Sequence, residues 1–150
     1  MRILLQVIEE GTIEVEDEEV ASVKSALCLY VAVEGEDDLS LVDGLAEKIL
    51  NLRVFPDDDR PFQLSARDTG SEILLISNFT LAGSTASGRR PSWSAAADPA
   101  VAQDVMERLS ETLAAGGLSV SHGSFGTRMR VTTVNDGPTN LLILTAGSES

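Results

Sequence analysis

Apolar positions gather into a few dense runs along this chain, and the densest opens residues 73–81, Ile-Leu-Leu-Ile-Ser-Asn-Phe-Thr-Leu. The unbroken apolar start predicts a strand buried on both faces. The abrupt arrival of Ser77, Asn78 and Thr80 puts either chemistry or simple turn formers at its tip. Met1 to Ile8 predicts a first strand, and Thr12 to Val15, alternating polar with apolar, a half-exposed second one, with Gly11 as the turn between them. The Glu16, Asp17, Glu18, Glu19 run reads as a solvated hairpin tip or edge, and Leu27 to Val33 as a buried third strand. Val42, Leu45, Ala46, Ile49 and Leu50 recur at helical spacing behind Ser40, an N-cap with Asp43 three residues on, so a first amphipathic helix covers about Leu41 to Leu52.

Pro56 to Pro61 reads as a loop, and Ala82 to Ser92, rich in Gly, Ser and Arg, as a long exposed one. Asp98-Pro99 opens a second helix carrying Ala102, Val105, Met106, Leu109 and Leu113, which ends at Gly116-Gly117. Leu118 to Ser121, Met129 to Val134 and Leu141 to Leu144 supply the last strands, Gly137-Pro138 punctuating the final pair. The order ββ-βα-βα-βββ predicts an α/β chain, a mixed sheet with helices packed on it, as one domain over residues 1–150.

Composition narrows the chemistry. At 150 residues the chain can bury a core without disulfides, and its one cysteine, Cys28, sits in an apolar run where it reads as a small buried hydrophobe. No run approaches membrane-spanning length, and Gln6 interrupts an N-terminal stretch too short for a signal peptide, so a soluble cytoplasmic protein with no membrane partner is expected. Net charge is −13, with 16 acids against 5 bases in residues 1–60 and 8 against 6 in 61–150. Such a surface does not attract nucleic acid globally, so any phosphate contact must be local, at groups such as Arg89, Arg90, Arg128 and Arg130.

Several motifs fall away on inspection. Asp57, Asp58 and Asp59 lack the glycine spacing and distal Glu of a calcium loop, and Gly83 to Gly88 lacks the Lys-Ser/Thr pair of a phosphate loop. No metal or other cofactor is expected. A Ser77, His122, Asp136 triad can be written down, but the single histidine has no motif around it and reads as structural.

Ordered pieces of the sequence resemble one family. SNFTL at 77–81, GRRPSW at 88–93, GSFGTRM at 123–129 and VNDGP at 134–138, with NLRVF at 51–55 in register, are similar to the motif set of the D-aminoacyl-tRNA deacylases, nearly end to end. The resemblance implies a sheet curled toward a barrel with two main helices outside. It also implies hydrolysis of the ester of a D-amino acid on tRNA, a proofreading step in translation that extends to mischarged glycyl-tRNA because glycine has no side chain to exclude. Ser77, Asn78, Phe79 and Thr80 match the catalytic strand tip, whose backbone donors surround the ester carbonyl. Thr80 has been viewed in the family as a nucleophile, but a route through the substrate's own 2'-hydroxyl, largely independent of side chains, is favoured.

Gly137 and Pro138 match the family's glycine and cis-proline, whose carbonyls reach into the partner subunit's pocket, hold the α-amino group and exclude an L side chain; Asn135 belongs to the same motif. A homodimer with shared sites and a tRNA acceptor end as partner follow, with no DNA. Phe125 and Met129 are implied at the adenosine, and Arg89 and Arg90 at the tRNA. The chain departs from the family at Asn78, usually Gln, and at Thr139-Asn140, usually Val-Thr. It departs also at Gln6-Val7, where the family's Gln-Arg supplies an arginine that braces the Gly-Pro turn. Two further readings stay open: a catalytically silent homologue acting as a dimeric binding protein, and an esterase on a small acylated ligand.

Overall fold

The computed structural model describes residues 1–145. Strands β1 (Arg2–Val15) and β2 (Glu18–Ala32) form a long antiparallel hairpin. Helix α1 (Val42–Asn51) leads to a small hairpin of β3 (Arg53–Asp57) and β4 (Arg60–Ser65) and then to the one-turn helix α2 (Ala66–Thr69). Strand β5 (Glu72–Ser77), helix α3 (Pro99–Ala115) and strands β6 (Val120–His122) and β7 (Arg130–Leu144) follow. The main sheet runs β6-β5-β2-β1-β7; β5 is parallel to both its neighbours and the other pairs are antiparallel. The sheet is therefore mixed, and α1 and α3 carry its parallel crossovers.

Period-2 alternation sorts the core into two layers. Leu5, Leu27, Leu29, Ile73 and Leu75 pack with Ile49 of α1 and Leu109 of α3, while Ile8, Ile13, Cys28, Leu74 and Ile76 form a second cluster. Strand β5 contributes to both layers, and Ile73 through Ile76 are at most 2% exposed, the two-faced burial that its apolar run predicts. Helix α3 begins as its sequence indicates, with the Asp98 side chain accepting from Ala100 N at 2.9 Å and Pro99 in the first turn.

Several boundaries differ from expectation. Ser40 does not cap α1: it lies in a 3-10 turn, Leu39–Leu41, whose own cap is Asp38, its side chain accepting from Ser40 N at 2.8 Å, and α1 continues from that turn. Gly11 does not turn the chain, because β1 runs straight through it. A Cβ at Gly11 would lie 2.8 Å from Ile8 Cδ1 and 3.0 Å from Leu74 Cδ2, so glycine admits β1 against β5 where the hairpin curls over the sheet. The real turn is at Glu16 and Asp17, whose φ of 52° and 66° are left-handed. Residues 56–61 are not open loop but the tip of the β3–β4 hairpin, with Asp58 at φ 50° and Val54 and Phe55 anchored in the core. Finally, the two last strands are one, β7, whose ladder with β1 slips at 135–140 and then resumes.

The curl nearly brings the sheet edges together. After β6, a Cβ at Gly123 would lie 2.3 Å from Met129 Sδ and 3.4 Å from Ile13 Cδ1 of β1. Among the described residues no helix is long and apolar enough to cross a membrane.

Candidate functional site

The tip of β5 is tied down and then left chemically open. Asn78 N donates to Val31 O of β2 at 2.7 Å, and the chain turns into a short 3-10 helix, Phe79–Ala82. Leu81 N returns to Asn78 O at 3.2 Å and Gly83 N to Thr80 O at 3.0 Å, but no side chain caps the start of the turn. The first N–H groups of any helical turn have no partner within it. Those of Phe79 and Thr80 accordingly find no acceptor among the described residues. Beside them, Thr80 Oγ1 donates to Asn78 Oδ1 at 2.5 Å, so the threonine proton is already committed. Phe79 is 61% exposed and meets Trp93 edge to face, ring centroids 6.0 Å apart.

A cavity of about 620 Å³ opens beside this tip. Ser77, Asn78 and Phe79 form one wall, Phe125 and Met129 another, and Ala102 of α3 leaves room where a larger residue would fill it. Tyr30 also lines it; burial pushes its phenol up to about 12, and the adjacent Cys28 thiol adds to the rise. Burial likewise pushes Cys28 up to about 12, against the opposing hydrogen bond with Tyr30, so both groups are neutral at physiological pH. A second cavity of about 520 Å³ shares Ser77, Met106 and Phe125 with the first and adds Glu107, Glu111 and His122.

The fold thus gathers Ser77, Asn78, Phe79, Phe125 and Met129 around one cavity, with Thr80 following directly on its wall. It does not gather Asn135, Gly137 or Pro138 there. Strand β7 reaches the cavity near its start, through Val131, while residues 135–138 lie farther along the strand and do not line it. The Gly137-Pro138 peptide is cis. Gly137 has no positive φ, and a Cβ there would meet nothing closer than Asn135 Oδ1 at 3.7 Å, so nothing within the protomer requires glycine.

Arg89 and Arg90 lie in the exposed loop whose base is closed by reciprocal Ser84–Ser92 backbone bonds of 2.8 and 3.0 Å, with Trp93 just beyond it packing on Phe79. Neither arginine pairs with a carboxylate among the described residues, whereas Arg130 is held by Glu14 at 3.0 Å and Asp17 at 3.4 Å. The triad does not form: the His122 Nδ1 sits 3.1 Å from Gly123 O, and no hydrogen bond or ion pair joins His122 to Ser77 or Asp136 among the described residues.

Sequence reasoning missed Tyr30, Trp93 and the α3 wall. Ala102 and Met106 are four apart and so share a helix face, but read from sequence they belong to an ordinary core stripe. An exposed tryptophan beside an arginine pair was the available sign for Trp93.

Comparison with known proteins bears on this arrangement. Residues 4–144 match the family D-Tyr-tRNA(Tyr) deacylase. The chain is 43% identical over 143 residues, 95% of its length and 97% of the relative's, to a D-aminoacyl-tRNA deacylase of Exiguobacterium sp. (strain ATCC BAA-1283 / AT1b). It is 39% identical, over 95% of this chain and 99% of the relative, to a D-aminoacyl-tRNA deacylase of Alcanivorax borkumensis. Among solved structures, one described as c-Myc DNA Unwinding Element Binding Protein superposes with TM-score 0.89 at 28% identity, covering 97% of this chain and 99% of that one. A probable eukaryotic D-amino acid tRNA deacylase superposes with TM-score 0.83 at 16% identity over 95% and 97% of the two chains, which speaks to the fold alone.

Proposed function

The chain belongs to the D-Tyr-tRNA(Tyr) deacylase family, and from that premise we propose that it hydrolyses the ester joining a D-amino acid to the terminal ribose of tRNA. The observation that carries this reading is the pair of unpartnered N–H groups on Phe79 and Thr80, fixed at the end of a strand buried on both faces and opening beside a nucleoside-sized cavity. Two fixed donors are what a developing oxyanion needs, since they require no reorganisation as charge appears.

Water oxygen bonds to the acyl carbon, the carbonyl oxygen takes the charge against the two N–H groups, and the ester C–O bond breaks. The ribose oxygen leaves with the electron pair and is protonated, releasing the free amino acid and tRNA. Thr80 does not act as the nucleophile, because its proton is directed to Asn78 Oδ1, an amide oxygen rather than a base, and no other side chain bonds its hydroxyl among the described residues. The substrate's 2'-hydroxyl serves in the proton transfers instead. The terminal adenosine occupies the cavity between Phe125 and Met129.

Chirality is read by Gly137 and Pro138 of the partner subunit, since the same residues of one protomer do not line the cavity beside its own strand tip. The working protein is a homodimer in which each copy completes its partner's site. Gly137, which the protomer itself does not need to be glycine, is needed where it approaches the acyl group. Arg89 and Arg90, free of carboxylates, meet the tRNA backbone and compensate locally for the net charge of −13.

The test is deacylation of D- and L-aminoacyl-tRNA at low and high salt. Turnover confined to the D-ester, and to the glycyl ester, is expected, with affinity falling as salt rises. Retained adenosine binding with no turnover of any ester would instead make this chain a silent dimeric binding protein.

A further inference from the structure

The Gly137-Pro138 corner stands on a bulge whose neck is crossed by side-chain amides. Gln6 pairs with Asn140 and Ile8 with Asn135, so residues 136–139 stand opposite Val7 alone. Asn135 Nδ2 donates to Val7 O at 2.8 Å, Asn140 Nδ2 to Asn135 Oδ1 at 3.0 Å, and Gln6 Nε2 to Asn140 Oδ1 at 2.8 Å. The direction of this relay is fixed by chemistry. A backbone carbonyl can only accept, so Val7 O orients the Asn135 amide, which presents its oxygen to Asn140, which must then present its own oxygen to Gln6. The relay also touches the corner, since Asn135 Oδ1 is the atom nearest to where a Gly137 Cβ would stand, at 3.7 Å.

We infer that Asn140 is a positioning residue for stereochemical selection, working through Asn135 and Gln6 to hold the Gly137-Pro138 corner at a fixed height above β1. A bulge tethered only at its two ladder pairs can rock about them. Bonds across its neck, one of them to backbone, remove that freedom. Neither Asn135 nor Asn140 is covered by the core, so the tethering is done by amide pairing rather than by packing. This assignment rests on the deacylase reading, because the corner's position matters only if it screens an acyl group.

Two near-isosteric variants test it in the full-length protein. Asn140→Leu removes donor and acceptor, whereas Asn140→Asp keeps the acceptor for Gln6 but faces Asn135 Oδ1 with another acceptor. Because position 140 is exposed, both should fold with a thermal midpoint within about 2 °C of the parent. Both are expected to lower the D-to-L ratio of kcat/KM at least tenfold, chiefly by admitting the L-ester. A residue that merely filled space would leave the Asp variant like the parent, and an unchanged ratio in that variant overturns the assignment. Should the parent protein hydrolyse neither ester, the deacylase reading fails on its own. Amide exchange at Asp136, Gly137 and Thr139 then decides the relay: exchange at least tenfold faster in Asn140→Asp upholds it, and equal exchange overturns it.

Discussion

The tip of β5 and the bulge of β7 are held in place by opposite means. Ile73 through Ile76 are sealed on both faces, so the Phe79 and Thr80 donors inherit the rigidity of the core. Residues 135–140 sit on an edge strand, mostly exposed, and depend on three amide side chains. In the proposed function the groups that stabilise charge must not move, and they follow directly from the most buried strand. In the proposed function the steric screen serves a second copy, and an edge strand is where it can project, beyond the packing of its own chain.

Breaking the buried side should have the largest effect. Leu74→Ala leaves a void in the core cluster of Ile8, Ile13, Cys28 and Ile76 and should cost about 3 kcal/mol of unfolding free energy, measured by urea titration. A loss under about 1 kcal/mol would mean β5 is not the anchor described here. Altering the exposed side should do the converse. Gly137→Ala has no steric conflict within the protomer, so stability should hold while kcat/KM for the D-ester falls at least tenfold. A matching fall in melting temperature would show the glycine to be structural.

A smaller effect is expected at the tip's own side chain. Thr80→Val removes the hydroxyl that donates to Asn78 but leaves both N–H groups, so kcat should fall less than tenfold. A fall of a thousandfold or more in single-turnover measurements would restore Thr80 as nucleophile.

The last comparison is confined to alkaline pH and concerns Cys28, buried beside Tyr30 of the cavity wall. Burial raises the folded Cys28 pKa from an ordinary value of 9.0 to about 12. A raised folded pKa means that the neutral thiol's contribution is complete below the unfolded value and is lost as pH climbs through the folded one. Stability should therefore decline between about pH 9 and pH 12, and Cys28→Val should make that decline shallower without abolishing it, because Tyr30 titrates upward in the same sense. Identical slopes in urea unfolding across that window would place the thiol in contact with water.

Much of this was legible in the sequence, because hydrophobic periodicity reports burial directly. The two-faced strand, both main helices, the Asp98 cap of α3, the buried thiol and the polar tip at 77–80 follow from local pattern. Residues that failed to read correctly are those whose role depends on a neighbour distant in sequence. Gly11 has the form of a turn glycine, yet β1 runs straight through it, and a Cβ there would crowd Leu74, more than sixty residues away, as well as Ile8. Residues 56–61 have loop composition, yet Val54 and Phe55 are seated in the core and hold the hairpin that ends there.

What the chain determined by itself is the buried central strand, the two main helices and the polar cluster that ends the strand, since spacing and side-chain type suffice for that. Only the tertiary structure decided that the Phe79 and Thr80 N–H groups find no acceptor among the described residues, that Phe125 and Met129 line one cavity with Phe79, and that Gly137 stands outside it. Hydrogen-bond vacancies and distances across a curled sheet are properties of long-range pairing, and no local pattern encodes them. The amide relay at Gln6, Asn135 and Asn140 belongs to the same class: three unremarkable polar residues gain a direction and a task only when β1 and β7 lie side by side.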